Sequence, residues 1–318
     1  MWVPEKVLTN ADLERMVDTT DEWITERTGI KERRIAGDDM TAVEMGYRAG
    51  KAAVADAGLE PADVDAIIVS TATPDRLLPA TACDIQARLE ARDAVAFDVW
   101  GACSGWLYAI NIGSGLILSE QAETVLCVAT EKMSAIVDWT DRATCVLFGD
   151  AAGATVLRRS GGNGHGILST YMRSDGTLAE LLYRSPLDSG SVPVDVAELA
   201  VRDGYLRMAG REVFKNAVRS MCEAVDAVLE KAGVTKDEID LLVPHQANIR
   251  IIEATARYAG LSMDRVWVNV DRYGNTSSAT IPVALHEARE AGRIEEGSLV
   301  LMVTFGAGLT WAGMLIRW

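Results

Sequence analysis

Apolar residues recur with two different spacings along the chain, and the two spacings alternate. Residues 41–57 and 210–232 place apolar side chains three and four positions apart, which predicts two long amphipathic helices. Short uninterrupted apolar runs at 94–99 and 124–130 instead predict buried strands. This alternation predicts an α/β protein whose mostly parallel sheets are covered by helices.

Two segments of the sequence repeat one pattern. Residues 57–68, AGLEPADVDAII, align without a gap with residues 232–243, AGVTKDEIDLLV, at an offset of 175 (232 − 57). Gly58 and Gly233 lie where each preceding helix should end, because glycine readily adopts the left-handed conformation found just beyond helix C-termini. The repeat predicts two copies of one unit related by a pseudo-twofold axis.

The two predicted copies also end alike. Residues 145–157, CVLFGDAAGATVL, and residues 300–316, VLMVTFGAGLTWAGMLI, each suggest a strand, a Phe-Gly turn and a second strand. The glycine-rich residues 161–166 suit the junction between copies. We therefore predict an N-terminal half over residues 1–161 and a C-terminal half over residues 162–318.

Composition and charge narrow the classes of function. Hydrophobic residues make up 49% of the 318 and charged residues 24%, which is typical of a globular protein and not of a disordered chain. A net charge of −15 argues against general binding of nucleic acid or anionic membrane, so an acidic partner would need a local basic patch. No apolar signal-peptide core and no membrane-spanning run is evident in the sequence.

The cysteines and histidines show no metal or disulfide pattern. Five cysteines without a CxxC pair predict free thiols in a reducing cytosol, and the three histidines share no metal-ligand spacing. We therefore predict a cytoplasmic protein with no metal site.

Cys103 is the strongest candidate nucleophile. It lies in DVWGACSGW, between a predicted strand and a helical run to about Ser119, with Gly101 and Gly105 beside it. A sharp strand-to-helix turn with small neighbours is the geometry of a nucleophile elbow. A helix N-terminus favours the thiolate, and its free N–H groups can bind an oxyanion. The alternative is a buried cysteine acting as a small hydrophobic residue, which suits the other four.

Three further segments carry groups suited to catalysis, and each has a purely structural alternative. His245, in LLVPHQAN, follows a predicted strand at the end where α/β folds bind ligands, although structural histidines are also common there. Asn275, in DRYGNTSSAT, is also a typical turn residue. Gly306 and Gly308, in FGAGLTW, allow a turn whose N–H groups face a substrate oxygen, or a plain hairpin. No helix follows this turn, which argues against a GxGxxG nucleotide site.

Several segments, in this order along the chain, resemble the β-ketoacyl-[acyl-carrier-protein] synthase III family of condensing enzymes. These segments are TNADLERMVDTTDEWITERTGI (9–30), GACSGW (101–106), VDWTDRATCVLFGDAAGA (137–154), MAGREVFK (208–215), VPHQANIRII (243–252), DRYGNTSSA (271–279) and FGAGLTWAG (305–313). The resemblance implies a thiolase-like fold with duplicated halves in a five-layered αβαβα arrangement. It also implies an acyltransferase that initiates type II fatty acid synthesis from an acyl-CoA and malonyl-carrier protein.

The resemblance implies a catalytic triad of Cys103, His245 and Asn275. Cys103 would accept the acyl group, and the backbone N–H groups of Cys103 and Ala307 would form the oxyanion hole. His245 and Asn275 would donate hydrogen bonds to the enolate that forms when malonyl-carrier protein loses CO₂. The carbanion would then attack the acyl-cysteine and give a 3-oxoacyl product. No cofactor is required for this chemistry.

The resemblance also implies binding residues. Contacts with CoA are expected from Thr19, Trp23 (stacking on adenine), Arg27, Arg142 and Asn248. Contacts with an acidic carrier protein are expected from Lys215, Gln246, Ala247, Asn248, Ile249 and Arg250, with Arg211 and Arg219 on the same helix face as Lys215. The acyl pocket is expected to be lined by Phe148 and by Leu78 of the second copy in a homodimer. A leucine at that position would admit longer or branched acyl groups. Core packing and weak surface salt bridges are the alternatives for these aromatic and charged residues.

Other functions stay open on sequence grounds. The family normally has a further strand before Pro4, so one strand of the first half is expected to be missing. A synthase III-like acyltransferase or condensing enzyme of polyketide-type secondary metabolism would share most of the same residues. A cysteine hydrolase of the α/β-hydrolase type would lack the duplication, and a non-catalytic subunit would lack the triad. The preferred acyl chain is not determined by these segments.

Overall fold

Two four-stranded sheets form the framework of the protein, whose computed structural model describes residues 1–162, 164–185 and 204–318. The strands are β1 (Val7–Thr9), β2 (Glu32–Arg34), β3 (Ala66–Ser70), β4 (Val95–Val99), β5 (Thr124–Lys132), β6 (Asp150–Arg158), β7 (Gly166–Ser174), β8 (Leu182–Arg184), β9 (Leu206–Met208), β10 (Leu241–Pro244), β11 (Leu299–Gly306) and β12 (Thr310–Arg317). The helices are α1 (Asn10–Glu14), α2 (Asp21–Thr28), α3 (Ala42–Asp56), α4 (Thr81–Leu89), α5 (Gly105–Leu118), α6 (Arg142–Cys145), α7 (Gly210–Ala232), α8 (Ile249–Tyr258), α9 (Val270–Tyr273) and α10 (Thr280–Glu290).

Each half of the chain contributes one mixed sheet. In the first sheet, of order β4-β3-β5-β6, β3 lies between two parallel neighbours and β6 runs antiparallel to β5. In the second, of order β10-β11-β12-β7, β10 is parallel to β11 and the other two pairings are antiparallel. Every residue of β3 and of β10 is buried, which explains why these strands are uninterrupted apolar runs.

The predicted duplication is confirmed in local detail. The 3₁₀ turns at Pro61–Asp63 and Lys236–Glu238 both begin with a capping box and lead into the paired strands β3 and β10. The carboxylate of Asp65 accepts a hydrogen bond from the amide of Thr124 at 2.9 Å, and that of Asp240 accepts one from the amide of Leu299 at 2.7 Å. Each aspartate therefore holds the start of the neighbouring strand in its own copy.

Helices fill both outer faces and the space between the sheets. Helices α3 and α4 cover the first sheet, α7 and α8 cover the second, and α5 and α10 lie between them. The central layer is apolar, with Trp106, Leu107 and Ile110 of α5 in one cluster with Ile281 and Val283 of α10. This is the αβαβα order expected of a thiolase-like fold, and it brings the first turns of α5 and α10 together.

Three expectations need correction or qualification. Residues 145–148 do not form a strand: α6, capped by Asp141, ends at Cys145, and Phe148 makes only an isolated bridge with Asn275. The sheets are mixed rather than mostly parallel, because β6 and β12 return antiparallel. In the second half, β7 pairs with β12. At the equivalent position of the first half, the described residues show a single bridge, between Trp2 and Ala152 of β6.

The boundary predicted between the halves, after residue 161, falls in the connection between β6 and β7. Part of the glycine-rich junction, residue 163, lies outside the described residues. The division into residues 1–161 and 162–318 stays a prediction.

Candidate active site

The turn that carries Cys103 is strained and tightly packed. A single 3₁₀ turn, Ala102–Ser104, runs directly into α5, and Ala102 has a φ of 45°, in the left-handed region that costs an alanine about 1 kcal/mol. Thr304 on β11 donates a hydrogen bond to the carbonyl of Cys103 at 2.9 Å. Gly306 packs so closely that a Cβ there would lie 2.7 Å from the Cys103 nitrogen. The C-terminal end of β11 thus packs against the backbone of Cys103 and fixes its position.

The β11–β12 turn supplies the second backbone group of the expected oxyanion hole. Ala307 lies beside Cys103 on the wall of one cavity. The hydroxyl of Thr310 is within hydrogen-bond distance of the Ala307 carbonyl, at 3.1 Å, and of the Gly101 carbonyl, at 3.3 Å. Because the Thr310 hydroxyl contacts both carbonyls, it fixes the position of the β11–β12 turn relative to the turn that carries Cys103.

His245 stands at the carboxyl end of β10. Its amide donates to the carbonyl of Val303 at 2.8 Å, which continues the parallel pairing with β11. Its Nδ1 lies 2.6 Å from the hydroxyl of Thr280, the first residue of α10. With Nδ1 occupied, Nε2 is the ring nitrogen that remains for a ligand. When the Thr280 hydroxyl donates to Nδ1 rather than to the carbonyl of Ser277, which lies 3.0 Å from it, Nε2 carries the proton and is a donor.

Asn275 is held by its backbone and by one side-chain atom. Its amide donates to the carbonyl of Leu147 at 2.8 Å, and its carbonyl accepts from the amide of Gly149 at 3.1 Å. Its Oδ1 accepts a hydrogen bond from the amide of Ser277 at 2.8 Å. Because this contact requires the oxygen at that position, the NH₂ group of Asn275 is the free end. Gly274 before it has φ 61°, and a Cβ there would lie 2.7 Å from the Leu147 carbonyl.

Burial shifts the pKa values of Cys103 and His245. It raises the pKa of the Cys103 thiol to about 12, with a smaller upward contribution from the charge of Glu131. Desolvation therefore opposes the preference for a thiolate that the helix N-terminus is expected to give Cys103. Burial lowers the pKa of His245 to about 3, so this imidazole is neutral at physiological pH.

All three predicted catalytic side chains open onto one cavity of 790 Å³. Cys103, His245 and Asn275 line it together with Ala307 and Ser277. Most of the remaining wall is apolar and includes Phe148, the predicted acyl-pocket residue, which is 4% exposed. Leu78 does not line this cavity and is 85% exposed, whereas its neighbour Leu77 does line it.

The residues expected to bind CoA cluster near the same opening. Two guanidinium groups lie near the ring of Trp23, that of Arg27 at 4.8 Å and that of Arg142 at 5.0 Å from the ring centre. Asn248, on the cavity wall, donates to the carbonyl of Arg27 at 2.9 Å. Thr19, on the loop before α2, has a buried hydroxyl with no partner among the described residues. A flat aromatic ring flanked by cations suits a nucleotide.

The residues expected to contact a carrier protein divide into exposed and buried groups. Lys215 on α7 and Arg250 on α8 are exposed and border a shallow depression, together with Arg257. Arg211 and Arg219 extend the exposed basic face of α7, whereas Ala247, Asn248 and Ile249 are half-buried.

Gln246 does not fit a surface contact. It is 1% exposed, and its amide group donates to the carbonyls of Pro244 and Trp267 at 2.9 and 3.0 Å. Its oxygen accepts from the amides of Asn269 and Val270. We therefore assign it a structural role at the start of α8 and α9, and the surface prediction for it is wrong.

Two family models match the chain. The model described as 3-oxoacyl-[acyl-carrier-protein] synthase III matches residues 97–176, which include Cys103, and the model of the C-terminal part of that synthase matches residues 229–318, which include His245 and Asn275. A curated relative, β-ketoacyl-[acyl-carrier-protein] synthase III of Aquifex aeolicus, is 49% identical over 100% of this chain and 97% of its own. This chain belongs to the β-ketoacyl-[acyl-carrier-protein] synthase III family. It is therefore an acyltransferase of the condensing type, acting at the initiating step of fatty acid synthesis.

Solved structures agree with this assignment. The crystal structure of the synthase III from Aquifex aeolicus superposes with a TM-score of 0.92, covering 100% of this chain and 97% of that one. The priming β-ketosynthase of the R1128 polyketide pathway has a TM-score of 0.90 but only 36% identity, over 99% of this chain and 93% of that one. The higher identity to the fatty acid enzyme favours fatty acid synthesis over the polyketide alternative. A cysteine hydrolase and a non-catalytic subunit are both excluded by the family assignment.

Sequence reasoning missed two polar residues near the nucleophile. Ser277 and Glu131 are both buried, and the hydroxyl of Ser277 lies 3.7 Å from the sulfur of Cys103.

Among the described residues no helix is long and apolar enough to cross a membrane. Within the same ranges, no cluster of three or more His, Cys, Asp or Glu side chains is arranged to hold a metal ion.

Proposed function

We propose that Cys103, His245 and Asn275 catalyse the decarboxylating condensation of an acyl-CoA with malonyl-[acyl-carrier protein]. The observation that carries this proposal is that all three side chains, from both halves of the chain, line one cavity beside the backbone of Ala307. The nucleophile comes from the first copy of the fold, and the two hydrogen-bond donors come from the second.

The first half-reaction transfers the acyl group to sulfur. The sulfur of Cys103 attacks the thioester carbon of acyl-CoA, and the negative oxygen forms beside the N–H groups of Cys103 and Ala307. Preorganised donors of this kind contribute about 10²- to 10³-fold each to a rate. The C–S bond to CoA breaks, and CoA leaves as a thiol with the proton that Cys103 gives up.

The second half-reaction forms the new carbon–carbon bond. Malonyl-carrier protein loses CO₂, and the electron pair of the broken bond delocalises onto the thioester oxygen. Nε2–H of His245 and the free NH₂ of Asn275 are the donors placed to stabilise that enolate. Its carbon attacks the acyl-cysteine, and Cys103 leaves and takes up a proton. Because His245 is neutral, it acts as a hydrogen-bond donor and needs no net charge.

The basic and aromatic residues near the cavity suit the binding of CoA and of an acidic carrier protein. We propose that Trp23, Arg27 and Arg142 hold the nucleotide of CoA, while Asn248 contacts the pantetheine arm inside the opening. The exposed Lys215 and Arg250 would meet an acidic carrier protein, although the chain as a whole carries a net charge of −15. The proposed sequence of steps uses substrates only and requires no metal or redox cofactor.

We also propose a homodimer in the cytoplasm. Strand β4 is the edge of its sheet, with its outer side unpaired among the described residues. Val95 on it is 55% exposed, and nearby Trp100 and Leu77 are 65% and 79% exposed. Exposed apolar residues beside an open strand edge suit pairing with a second copy, which would place Leu78 near the other subunit's cavity.

The experiment is a comparison of the two half-reactions in single variants. Cys103→Ala should abolish both acylation by acetyl-CoA and product formation. Asn275→Ala should retain acylation but lose at least about 100-fold in CO₂ release from labelled malonyl-carrier protein. Equal loss of acylation in the Asn275 variant, with the fold intact, would contradict the proposed division of roles.

A further inference from the structure

The turn that carries Ser277 is the second-half counterpart of the nucleophile turn. The 3₁₀ turn Ser277–Ala279 runs directly into α10, as Ala102–Ser104 runs into α5. Ser277 has φ 51° and Ala102 has φ 45°, and the two residues are separated by the offset of the sequence repeat (277 − 102 = 175). The two strained turns contact each other in the centre of the molecule. The duplicated fold therefore brings two equivalent turns to one site.

Ser277 makes a connection to each of the three proposed catalytic side chains. Its amide donates to Oδ1 of Asn275 at 2.8 Å. The hydroxyl of Thr280 lies within hydrogen-bond distance of the Ser277 carbonyl, at 3.0 Å, and of Nδ1 of His245, at 2.6 Å, and it donates its single hydrogen to one of them at a time. Its own hydroxyl oxygen lies 3.7 Å from the sulfur of Cys103. A strained conformation persists only where the surroundings determine it to this degree.

The backbone strain is common to both turns, so the side chain is what distinguishes Ser277. Its counterpart Ala102 carries a methyl group, whereas Ser277, which is 2% exposed, places a hydroxyl beside the sulfur. We propose that Ser277 is a further catalytic residue, whose hydroxyl donates a hydrogen bond to the sulfur of Cys103 as the thiolate forms. This inference rests on the proposed role of Cys103 as the acylated nucleophile. While Cys103 is a neutral thiol, the hydroxyl instead accepts a hydrogen bond from the S–H group.

A second acceptor near this hydroxyl is the carboxylate of Glu131. Burial raises the pKa of Glu131, and a hydrogen bond with the Ser277 side chain is one of the contacts that lower it. Its carboxylate already accepts from the hydroxyl of Ser278 at 2.6 Å and from the amides of Ser278 and Ala72 at 3.3 and 3.0 Å. The hydroxyl of Thr73 contributes a further contact at 3.3 Å. A carboxylate has about four lone-pair sites, so these groups can occupy them all. Ser277 is therefore a fifth donor to this carboxylate, and its hydrogen can turn from Glu131 to the sulfur when the thiolate forms.

The electrostatics of the nucleophile agree with this geometry. Among the described residues, the titratable groups that face Cys103 are Glu131 on β5 and His245 after β10. Burial and the charge of Glu131 both raise the pKa of the thiol, and the hydrogen bond with Ser277 lowers it. His245 is neutral and carries no charge to offset them. A buried thiolate in such surroundings needs a directed donor.

The test compares Ser277→Ala with Ser277→Gly. Both remove the hydroxyl, but glycine relieves the strained φ and alanine retains it, as Ala102 does in the first half. Alkylation of Cys103 by iodoacetamide, located by peptide mass spectrometry across pH 7 to 10, reports thiolate formation without any substrate. Acylation of Cys103 by acetyl-CoA is followed in the same samples. The matched control is Ser169→Ala, which removes a buried hydroxyl bonded to the Val228 carbonyl, outside the cavity.

Both Ser277 variants should be alkylated about tenfold more slowly than the wild type at neutral pH, and should be acylated correspondingly more slowly, because one charge-assisted hydrogen bond shifts a pKa by about one unit. The control should behave as the wild type. Alkylation at the wild-type rate in both variants, or a loss confined to one of them, would overturn the inference while leaving the proposed function intact. A wild-type protein acylated at another residue would overturn the proposed function itself, whatever the alkylation result.

Discussion

Replacing Gly306 by alanine tests whether the nucleophile is held by the end of β11. The added Cβ would lie 2.7 Å from the nitrogen of Cys103 and 3.1 and 3.2 Å from its Cβ and Cα. Ordinary contacts begin near 3.4 Å, so the two backbones must separate by up to about 0.7 Å. β11 is paired along its whole length with β12, so the turn at Cys103 is the part that moves.

The expected losses follow from that displacement. Overpacking of this kind costs about 1–3 kcal/mol of folding free energy. A misplacement of about 1 Å at a reacting atom costs about 100-fold in rate, and the displacement of up to about 0.7 Å also separates the Cys103 and Ala307 amides from the developing oxyanion. We expect acylation by acetyl-CoA to fall at least about 100-fold.

Single-turnover acylation, followed by intact-protein mass spectrometry beside urea unfolding, measures both effects. The matched control is Gly115→Ala in α5, where a Cβ meets nothing within 4 Å. That change should leave acylation unaltered and add about 0.5–1 kcal/mol of stability, because alanine favours the helix. A folded Gly306→Ala protein that is acylated within about threefold of the wild-type rate would refute the argument.

Three other perturbations probe the remaining parts of the site. Trp23→Ala should raise the KM for acetyl-CoA about tenfold through lost stacking but leave acylation by acetyl-pantetheine, which has no nucleotide, unchanged; equal effects on both would contradict stacking. Charge reversal at Lys215 and Arg250 should raise the KM for malonyl-carrier protein about tenfold at low salt, less at high salt, with acyl-CoA use unaffected and Lys51→Glu as control. Because His245 stays neutral in the fold while the unfolded chain binds a proton below about pH 6.5, it contributes a loss of stability as pH falls from about 6.5 towards 3. The unfolding free energy should therefore fall about 2 kcal/mol more between pH 7 and 5 than in a His245→Gln variant, and parallel pH curves would contradict a buried neutral imidazole.

The repeated pattern made most of the fold predictable. Once residues 57–68 and 232–243 align, the helix, glycine cap and buried strand of one copy predict those of the other, because short-range hydrophobic spacing and glycine conformation determine them. The segment at 145–148 shows where this fails. It shares the Phe-Gly step with the second copy, but its backbone groups bond to Asn275 and to α6 instead of forming a strand.

Candidate site residues could be predicted where a chemically suited side chain lies at a predicted turn between a strand and a helix. They could not be predicted where packing between distant segments determines whether a side chain is exposed. Cys103, His245 and Asn275 each follow a strand or precede a helix, so local pattern and family resemblance nominated them, and the structure places all three on one cavity. Gln246 was expected to contact a carrier protein from the family resemblance alone, whereas its side chain is buried by four hydrogen bonds, most of them to segments that pack there only in the fold.

Two features of the nucleophile needed the folded molecule. The raised pKa of Cys103 could not be foreseen, because burial is a property of the cavity and the helix terminus alone suggests the opposite shift. Ser277 carried a signal that could have been found, since the repeat offset pairs it with Ala102, the residue before the nucleophile.

The most direct measurement of the central claim is peptide-level mass spectrometry of protein quenched after seconds with isotopically labelled acetyl-CoA and no malonyl-carrier protein. The account predicts one labelled acetyl group per chain, on Cys103, that disappears into product when malonyl-carrier protein is added. Label on any other residue, or an acetyl-Cys103 that malonyl-carrier protein cannot discharge, would contradict it.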